Sequence, residues 1–266
     1  MKKIGFIGAG NMATAMMSGM IRSGIFHAEE VIMSDVNEAR LQTLQEEYGV
    51  CTTADNKTVA AEADVLVLAV KPQYYTAVIA EIAPVVNDRQ RIVTIAPGQT
   101  LASLAERFGS DTRKIIRTMP NTPAMVGMGM TAVTPNANVT EEELSEICRI
   151  LGGFGRTEVV GEGLMDAVVS VSGSAPAYVF LFIESMADAA VADGMPRAQA
   201  YRFAAQAVLG SAAMVLETGR HPGELKDMVC SPAGTTIEAV KVLERKGFRS
   251  AVMEAMEACT RKARGM

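Results

Sequence analysis

A chain of 266 residues with 49% hydrophobic and 21% charged residues has the composition of an ordinary folded protein and excludes a long disordered region. That length is near the ceiling for one hydrophobic core and implies about two domains. The 25 Lys and Arg against 30 Asp and Glu give a formal net charge of -5, which repels a phosphate backbone. The only dense basic cluster is the tail Arg261, Lys262, Arg264, so nucleic acid is not an expected partner.

The first apolar run, Lys3 to Ile7, predicts a strand, and Gly8-Ala9-Gly10-Asn11-Met12-Ala13 directly behind it predicts a tight turn that opens a helix. Ile4 to Ile21 carries no charge and follows Lys2-Lys3, as a signal peptide or membrane span would. Gly5, Gly8, Gly10, Asn11, Thr14, Ser18 and Gly19 dilute its apolar content, and neither is expected. In its strand-turn-helix setting the turn is the G-x-G-x-x-G/A dinucleotide fingerprint. The first glycine permits the turn, the second lets backbone approach a pyrophosphate, and Ala13 keeps helix and strand close. The N–H groups around Asn11 and Met12 then face the anion at the favourable end of the helix dipole.

The second strand, Val31 to Ser34, runs into Asp35, 22 residues beyond Ala13, where an acidic residue bonds the ribose 2′-hydroxyl of NADH. Yet Ser34, Asn37 and Arg40 stand close enough to receive a 2′-phosphate, and Arg40 can neutralise Asp35. NADPH is therefore the coenzyme expected, with NADH the alternative.

Further strands are predicted at Val65 to Val70, Arg91 to Ile95, Ile115 to Thr118, Gly129 to Thr134 and Thr157 to Val160, with amphipathic helices at Asn37 to Tyr48 and Thr76 to Val86. Thr140, with Glu143 three residues on, caps another helix that ends at Gly152-Gly153. Continuous apolar strands are buried on both faces, so the fold class is α/β: a Rossmann-type, doubly wound, mostly parallel sheet. The strand pattern stops near Gly161 to Gly163, which divides the chain into a dinucleotide-binding domain, 1–161, and an all-α domain, 162–266.

Within the second domain, Ala177 to Ile183 is apolar around the whole circumference of a helix reaching about Ala192. A domain of about a hundred residues can hardly cover such a helix, so a homodimer is expected; a helix wrapped by its own domain is the alternative. Pro196 and Pro222 mark later helix starts. Cys51, Cys148, Cys230 and Cys259 form no C-x-x-C pair, and His27 and His221 are the only histidines, so no metal site is expected. Buried thiols in a reducing cytoplasm are the reading of the four cysteines.

Reducing a ketone requires an acid for the developing alkoxide, usually His, Lys or Tyr. No lysine lies between Lys114 and Lys226, and His221 stands in a turn beside Pro222. Tyr178 reads either as an acid or, better, as core packing. A C=N substrate escapes this requirement, because an iminium takes hydride to give a neutral amine without an oxyanion. The small-residue stretch Ser231-Pro232-Ala233-Gly234-Thr235-Thr236 before a helical pattern reads equally as a carboxylate site at a helix N-terminus or as a cap by Ser231 or Thr235.

Pro222 to Thr236, continuing into Ala239, Val240, Leu243 and Glu244, resembles the C-terminal signature of the pyrroline-5-carboxylate reductase family. The resemblance extends over Phe6 to Met12, Ala69-Val70-Lys71-Pro72, Met119-Pro120-Asn121-Thr122-Pro123 and Ser172 to Tyr178, and so over essentially the whole chain. It implies reduction of 1-pyrroline-5-carboxylate to L-proline, and helical domains that interlock into dimers, often assembled further into decamers. It also implies a small-molecule substrate bound between the coenzyme and a dimer-derived pocket, with no membrane. Carried over, the amides around Gly234, Thr235 and Thr236 hold the substrate carboxylate, with Ser231 and Ala233 in the same loop, and the Thr236 hydroxyl contacts the imine nitrogen as the catalytic group. Asn56, Ala69, Val70, Lys71 and Pro72 line the coenzyme, with Ala96 and Pro97 near the nicotinamide. Many relatives carry Gly-Gly where this chain has Ala233-Gly234, and Gly-Ser-Gly-Pro where it has Gly173-Ser174-Ala175-Pro176; each departure adds a methyl group. Two rival readings are a β-hydroxyacid dehydrogenase, whose catalytic lysine the lysine gap disfavours, and a coenzyme-binding scaffold without turnover.

Overall fold

A computed structural model describes residues 3–265. By their contacts these form two compact units, one comprising the chain up to Ser174 together with the residues from Thr260 onward, the other Ala175–Cys259.

The first unit is built on one eight-stranded sheet. Its strands are β1 (Ile4–Ile7), β2 (Val31–Ser34), β3 (Cys51–Thr53), β4 (Val65–Leu68), β5 (Arg91–Thr94), β6 (Lys114–Met119), β7 (Gly129–Pro135) and β8 (Gly155–Val159). They lie in the order β3-β2-β1-β4-β5-β6-β7-β8, and only the β6–β7 pair is antiparallel. The helices of this unit are α1 (Asn11–Arg22), α2 (Glu38–Tyr48), α3 (Asn56–Glu62), α4 (Tyr75–Ile82), α5 (Leu101–Phe108), α6 (Glu141–Leu151) and the short α7 (Met165–Val168), which runs into a π-turn at Val169–Gly173.

Period-two alternation sends successive side chains to opposite faces, and both faces are covered. Ile4 and Phe6 of β1 and Val65 and Val67 of β4 pack with Met16, Met17 and Met20 of α1 and Leu44 of α2. Ile7, Leu66 and Leu68 pack on the other side with Tyr75, Ile79 and Ile82 of α4 and Leu104 of α5. At about 25 cal/mol per Å² of apolar surface, each such buried side chain contributes roughly 1.5–3 kcal/mol, so the central strands are the most stable part of the unit.

Strand order reverses beside β1: the chain goes outward from β1 to β2 and β3, then returns to β4 on the other side. A crevice outside the carboxyl ends of the strands at such a point is where doubly wound sheets take ligands. The β1–α1 turn and the segment after β4 flank that point.

β3 and α3 are among the elements that escape the sequence pattern. β3 has only three residues, Cys-Thr-Thr, at the sheet edge, and makes no apolar run. α3 is seven residues long and is started by Asp55, whose side chain accepts from the N–H groups of Lys57 and Thr58. The Thr140 box forms as predicted, with Thr140 and Glu143 capping each other's backbone. Glu162 belongs structurally with the sheet unit: Oε1 accepts from the Leu101 N–H at 2.7 Å and from Arg117 Nη1 at 3.2 Å, which ties the following turns to α5 and β6.

The second unit is helical: α8 (Ala175–Ala192), α9 (Arg197–Thr218), α10 (Pro222–Val229), α11 (Thr235–Arg245) and α12 (Phe248–Ala263), the last continuing past Cys259. Pro196 caps α9 and Pro222 is the first residue of α10. This unit does not wrap its own central helix. Ala187 alone of α8 is buried, and Phe180 and Leu181 are each 64% exposed in the single chain. The continuous helical stretch 162–192 is long and apolar enough to cross a membrane by length and composition.

The expectation of buried thiols is corrected. Cys51 is exposed because β3 is an edge strand, and Cys148, Cys230 and Cys259 are half-buried. Cys230 follows α10 and Cys259 lies in α12, helices that bury little in one chain.

Candidate active site

The glycine turn explains itself from the backbone. Gly8 has φ +99°, and a Cβ there would lie 2.8 Å from the backbone carbonyl carbon and oxygen of Ala69, just past the end of β4. Only glycine accepts both the conformation and the approach. The Gly8 N–H donates to the Ser34 carbonyl at 2.8 Å, tying the turn to the end of β2. Gly10 caps α1 in an extended conformation with no side-chain cap, and a Cβ on it would meet nothing within 4 Å. Gly10 and Asn11 at the start of α1 are exposed, and Ala13 is buried behind them. This uncapped, positively polarised helix start beside an open glycine fits a pyrophosphate.

Ala9, between the two glycines, is held from both sides. Its N–H donates to Asp35 Oδ2 at 2.7 Å, and its carbonyl accepts from Arg40 Nε at 3.2 Å. Arg40 Nη2 also donates to Thr14 Oγ1 at 2.9 Å, so the guanidinium bridges the turn and the first turn of α1. The other Asp35 oxygen accepts from the Asn37 N–H at 2.9 Å. Asn37 in turn caps α2 by accepting from the Arg40 N–H.

Most of the remaining residues predicted at the coenzyme lie at the carboxyl ends of the central strands, and Asn56 opens α3 beyond the edge strand β3. Ser34 is fully buried, and its hydroxyl donates to Asn56 Oδ1 at 2.7 Å. Asn56 opens α3 and donates to Glu81 at 2.9 Å. Ser34 therefore acts on the crevice through Asn56. Ala69, Val70, Lys71 and Pro72 leave the end of β4, with the Ala69 N–H bonded to the Ile7 carbonyl at 2.8 Å, and Lys71 caps a 3-10 turn at Pro72–Tyr74. Ala96 is buried and Pro97 exposed just beyond β5.

One supporting residue is invisible to motif reading. Tyr75 is fully buried under this rim, and its hydroxyl donates to the Leu68 carbonyl at 2.8 Å. Burial pushes its phenol far above the ordinary tyrosine value, so it braces the end of β4 and moves no proton.

In the helical unit, α10 ends at Cys230, and Ser231 to Gly234 turn the chain into α11. Ala233 takes φ +58°, in the left-handed region. Gly234 caps α11 with an extended backbone, and its N–H donates to the Ser231 carbonyl at 3.0 Å. A Cβ on Gly234 would fall 2.3 Å from Ser231 Oγ. No side chain caps α11, so of the two sequence readings of this loop the Ser231 or Thr235 cap is not the one that forms. The amides at Thr235 and Thr236 start the helix without a side-chain acceptor.

Residues 162–266 match the family described as pyrroline-5-carboxylate reductase dimerisation, and residues 3–98 match the one described as NADP oxidoreductase, coenzyme F420-dependent. The chain is 55% identical over 262 residues to a pyrroline-5-carboxylate reductase of Escherichia coli (strain K12), covering 98% of this chain and 97% of that one. The chain belongs to the pyrroline-5-carboxylate reductase family. Solved members of the family superpose over nearly the whole chain. The structure from Coxiella burnetii has TM-score 0.92 at 33% identity, with 99% of this chain and 98% of that one covered. The Plasmodium falciparum structure, which has NADP bound, has TM-score 0.89 at 30% identity, with 99% and 97% covered.

Membership accounts for the bare helical surface: the residues matching the dimerisation family, 162–266, include the apolar helix that a single chain leaves open, and the protein self-associates through them. His221 caps α10, its Nδ1 accepting from the Gly223 N–H at 3.0 Å, which is a structural use of the ring. Among the described residues no group of three His, Cys, Asp or Glu is arranged to hold a metal ion.

Proposed function

We propose that this protein reduces 1-pyrroline-5-carboxylate to L-proline, the last step of proline synthesis, with NADPH bound on the Gly8-Ala9-Gly10 turn. When bound, the reduced nicotinamide supplies the hydride. The amides at the start of α11 hold the substrate carboxylate, as an uncapped helix N-terminus is suited to do. The Thr236 hydroxyl hydrogen-bonds the ring nitrogen. The imine enters protonated, hydride adds to the C=N carbon, and the nitrogen keeps its proton to become the secondary amine. No alkoxide forms, so no strong acid is needed, and the uses already found for His221 and Tyr75 cost the reaction nothing.

The observation that carries this reading is the uncapped start of α11 behind Gly234, within a signature stretch of a chain belonging to this family. In this reading 1–161 is the dinucleotide-binding domain and 162–266 the dimerisation and substrate domain. The coenzyme contacts come from Gly8, Ala9, Gly10, Asn11, Met12, Asp35, Asn56, Ala69 to Pro72, Ala96 and Pro97. The homodimer assembles further, as a decamer, and works in the cytoplasm.

The test follows reduced-nicotinamide absorbance: its loss from NADPH with 1-pyrroline-5-carboxylate and its six-membered homologue, and its appearance from the oxidised coenzyme with a β-hydroxyacid. Turnover of the five-membered imine is expected. Binding of NADPH without consumption on any imine refutes the reductase reading in favour of a scaffold, and β-hydroxyacid oxidation refutes it in favour of the dehydrogenase class.

A further inference from the structure

The ribose end of the coenzyme site is charged in a way that the proposed use of NADPH does not absorb. Asp35 stands immediately after β2, the place from which a carboxylate accepts hydrogen bonds from an unphosphorylated adenosine ribose. Two backbone N–H groups, of Ala9 at 2.7 Å and Asn37 at 2.9 Å, hold its two oxygens, so the carboxylate cannot swing aside without abandoning both. Both donors are uncharged and leave its negative charge in place. The residue that follows, Val36, is 99% exposed and brings no charge.

Arg40 is the cation that shares Ala9 with Asp35, and its geometry is that of a brace. Nε is spent on the Ala9 carbonyl and Nη2 on Thr14 Oγ1, and neither contact goes to the Asp35 carboxylate. Two of the five guanidinium N–H groups are thereby used in holding the glycine turn and the first turn of α1. The two side chains thus divide the work: one holds the Ala9 N–H, the other holds the Ala9 carbonyl and ties it to α1.

We infer that Asp35 is the residue that discriminates between coenzymes in this chain, opposing a 2′-phosphate so that NADH is accepted alongside NADPH, and that Arg40 is a positioning residue of the glycine turn. The inference rests on the dinucleotide reading of the turn given above and extends it to the choice of coenzyme. It does not depend on which imine is reduced.

The test measures Kd for NADPH and for NADH separately, without substrate. Because the chain contains no tryptophan, the nicotinamide fluorescence of each coenzyme can be followed without energy transfer from indole, and calorimetry supplies a second measure. Asp35→Asn keeps an oxygen acceptor for the Ala9 N–H and removes the charge. It is expected to shift the ratio of the two Kd values toward NADPH by about tenfold, the equivalent of roughly 1.4 kcal/mol. Asp35→Ser, which keeps a smaller acceptor, is expected to shift it in the same direction. Arg40→Gln is expected to weaken both coenzymes by a similar factor and leave the ratio alone, with Arg40→Lys recovering part of the loss for both. Melting temperatures of all four variants identify any that fail to fold, and the assignment is read from the folded ones.

An unchanged ratio in folded Asp35→Asn and Asp35→Ser overturns the first assignment, and a selective loss of NADPH in Arg40→Gln overturns the second by making Arg40 the phosphate ligand. Binding is separate from turnover: a protein that binds both coenzymes and reduces no imine fails as a reductase while these ratios still stand or fall by themselves.

Discussion

Ala233 is the one non-glycine residue with a positive φ among those described, and replacing it with glycine isolates the energy stored in the loop proposed to hold the substrate carboxylate. A side chain at φ +58° places Cβ too near the following carbonyl oxygen, which costs about 1–2 kcal/mol. Glycine relieves that cost but loses about 0.4–1 kcal/mol through the greater freedom of the unfolded chain. Ala233 is exposed, so its methyl group gives up little packing in the single chain. The balance predicts that Ala233→Gly stabilises the protein by about 0.5–1 kcal/mol, the two effects being of opposite sign and the steric one the larger. At about 2–4 °C per kcal/mol for a chain of this size, the melting temperature should rise by roughly 1–4 °C. The assay is calorimetry of both proteins at one subunit concentration, because a dimer's melting temperature depends on concentration. Strain at a binding loop commonly serves preorganisation, so KM for 1-pyrroline-5-carboxylate should be followed in parallel. A fall in melting temperature would refute the reasoning, since it would mean that the methyl group makes contacts worth more than its strain.

Gly8→Ala is expected to abolish measurable NADPH binding and destabilise the sheet unit by about 3 kcal/mol or more, from a methyl group 2.8 Å from the Ala69 backbone on top of an unfavourable φ; coenzyme titration and denaturant unfolding check the two parts. Thr236→Ala should lower kcat/KM by about 10- to 100-fold, the value of one hydrogen bond to a charged group, while NADPH affinity stays nearly constant. Unchanged turnover would remove Thr236 from the mechanism. Burial alone would raise the pKa of Glu143, but hydrogen bonds from Lys114 and the Thr140 backbone, with the Lys114 charge, outweigh it and hold the carboxyl below its ordinary range. A depressed folded-state pKa means that its contribution is present above the unfolded value and lost as pH falls through the folded one. Acid unfolding of Lys114→Met should therefore begin at a higher pH than that of the parent, and coincident acid transitions would exclude the pair from acid stability.

Much of this architecture is local and so was readable in the chain. The β1 run, the Gly8-Ala9-Gly10 turn and the opening of α1 are consecutive, and each follows from periodicity or from a backbone angle that only glycine takes up easily. The Thr140–Glu143 box and Pro222 at the head of α10 are legible for the same reason. β3 was not, because an edge strand of three residues needs no apolar face to read. Tyr75 looked like any residue at the start of an apolar helix, and its hydroxyl finds Leu68 only when α4 folds back under the rim.

The opening Gly8-Ala9-Gly10 motif thus announces a coenzyme, but Asp35 was ambiguous in the sequence because its meaning depends on where Arg40 goes. Folding brings Asp35 and Arg40 onto opposite sides of Ala9, residues separated by 26 and 31 positions in the chain, and assigns each to a different backbone group. Residue order carries periodicity, turn chemistry and caps, all of which act over a few positions. Which acceptor a distant donor meets, and so whether a charge is neutralised or left facing a ligand, is set by the packing of helices across the sheet.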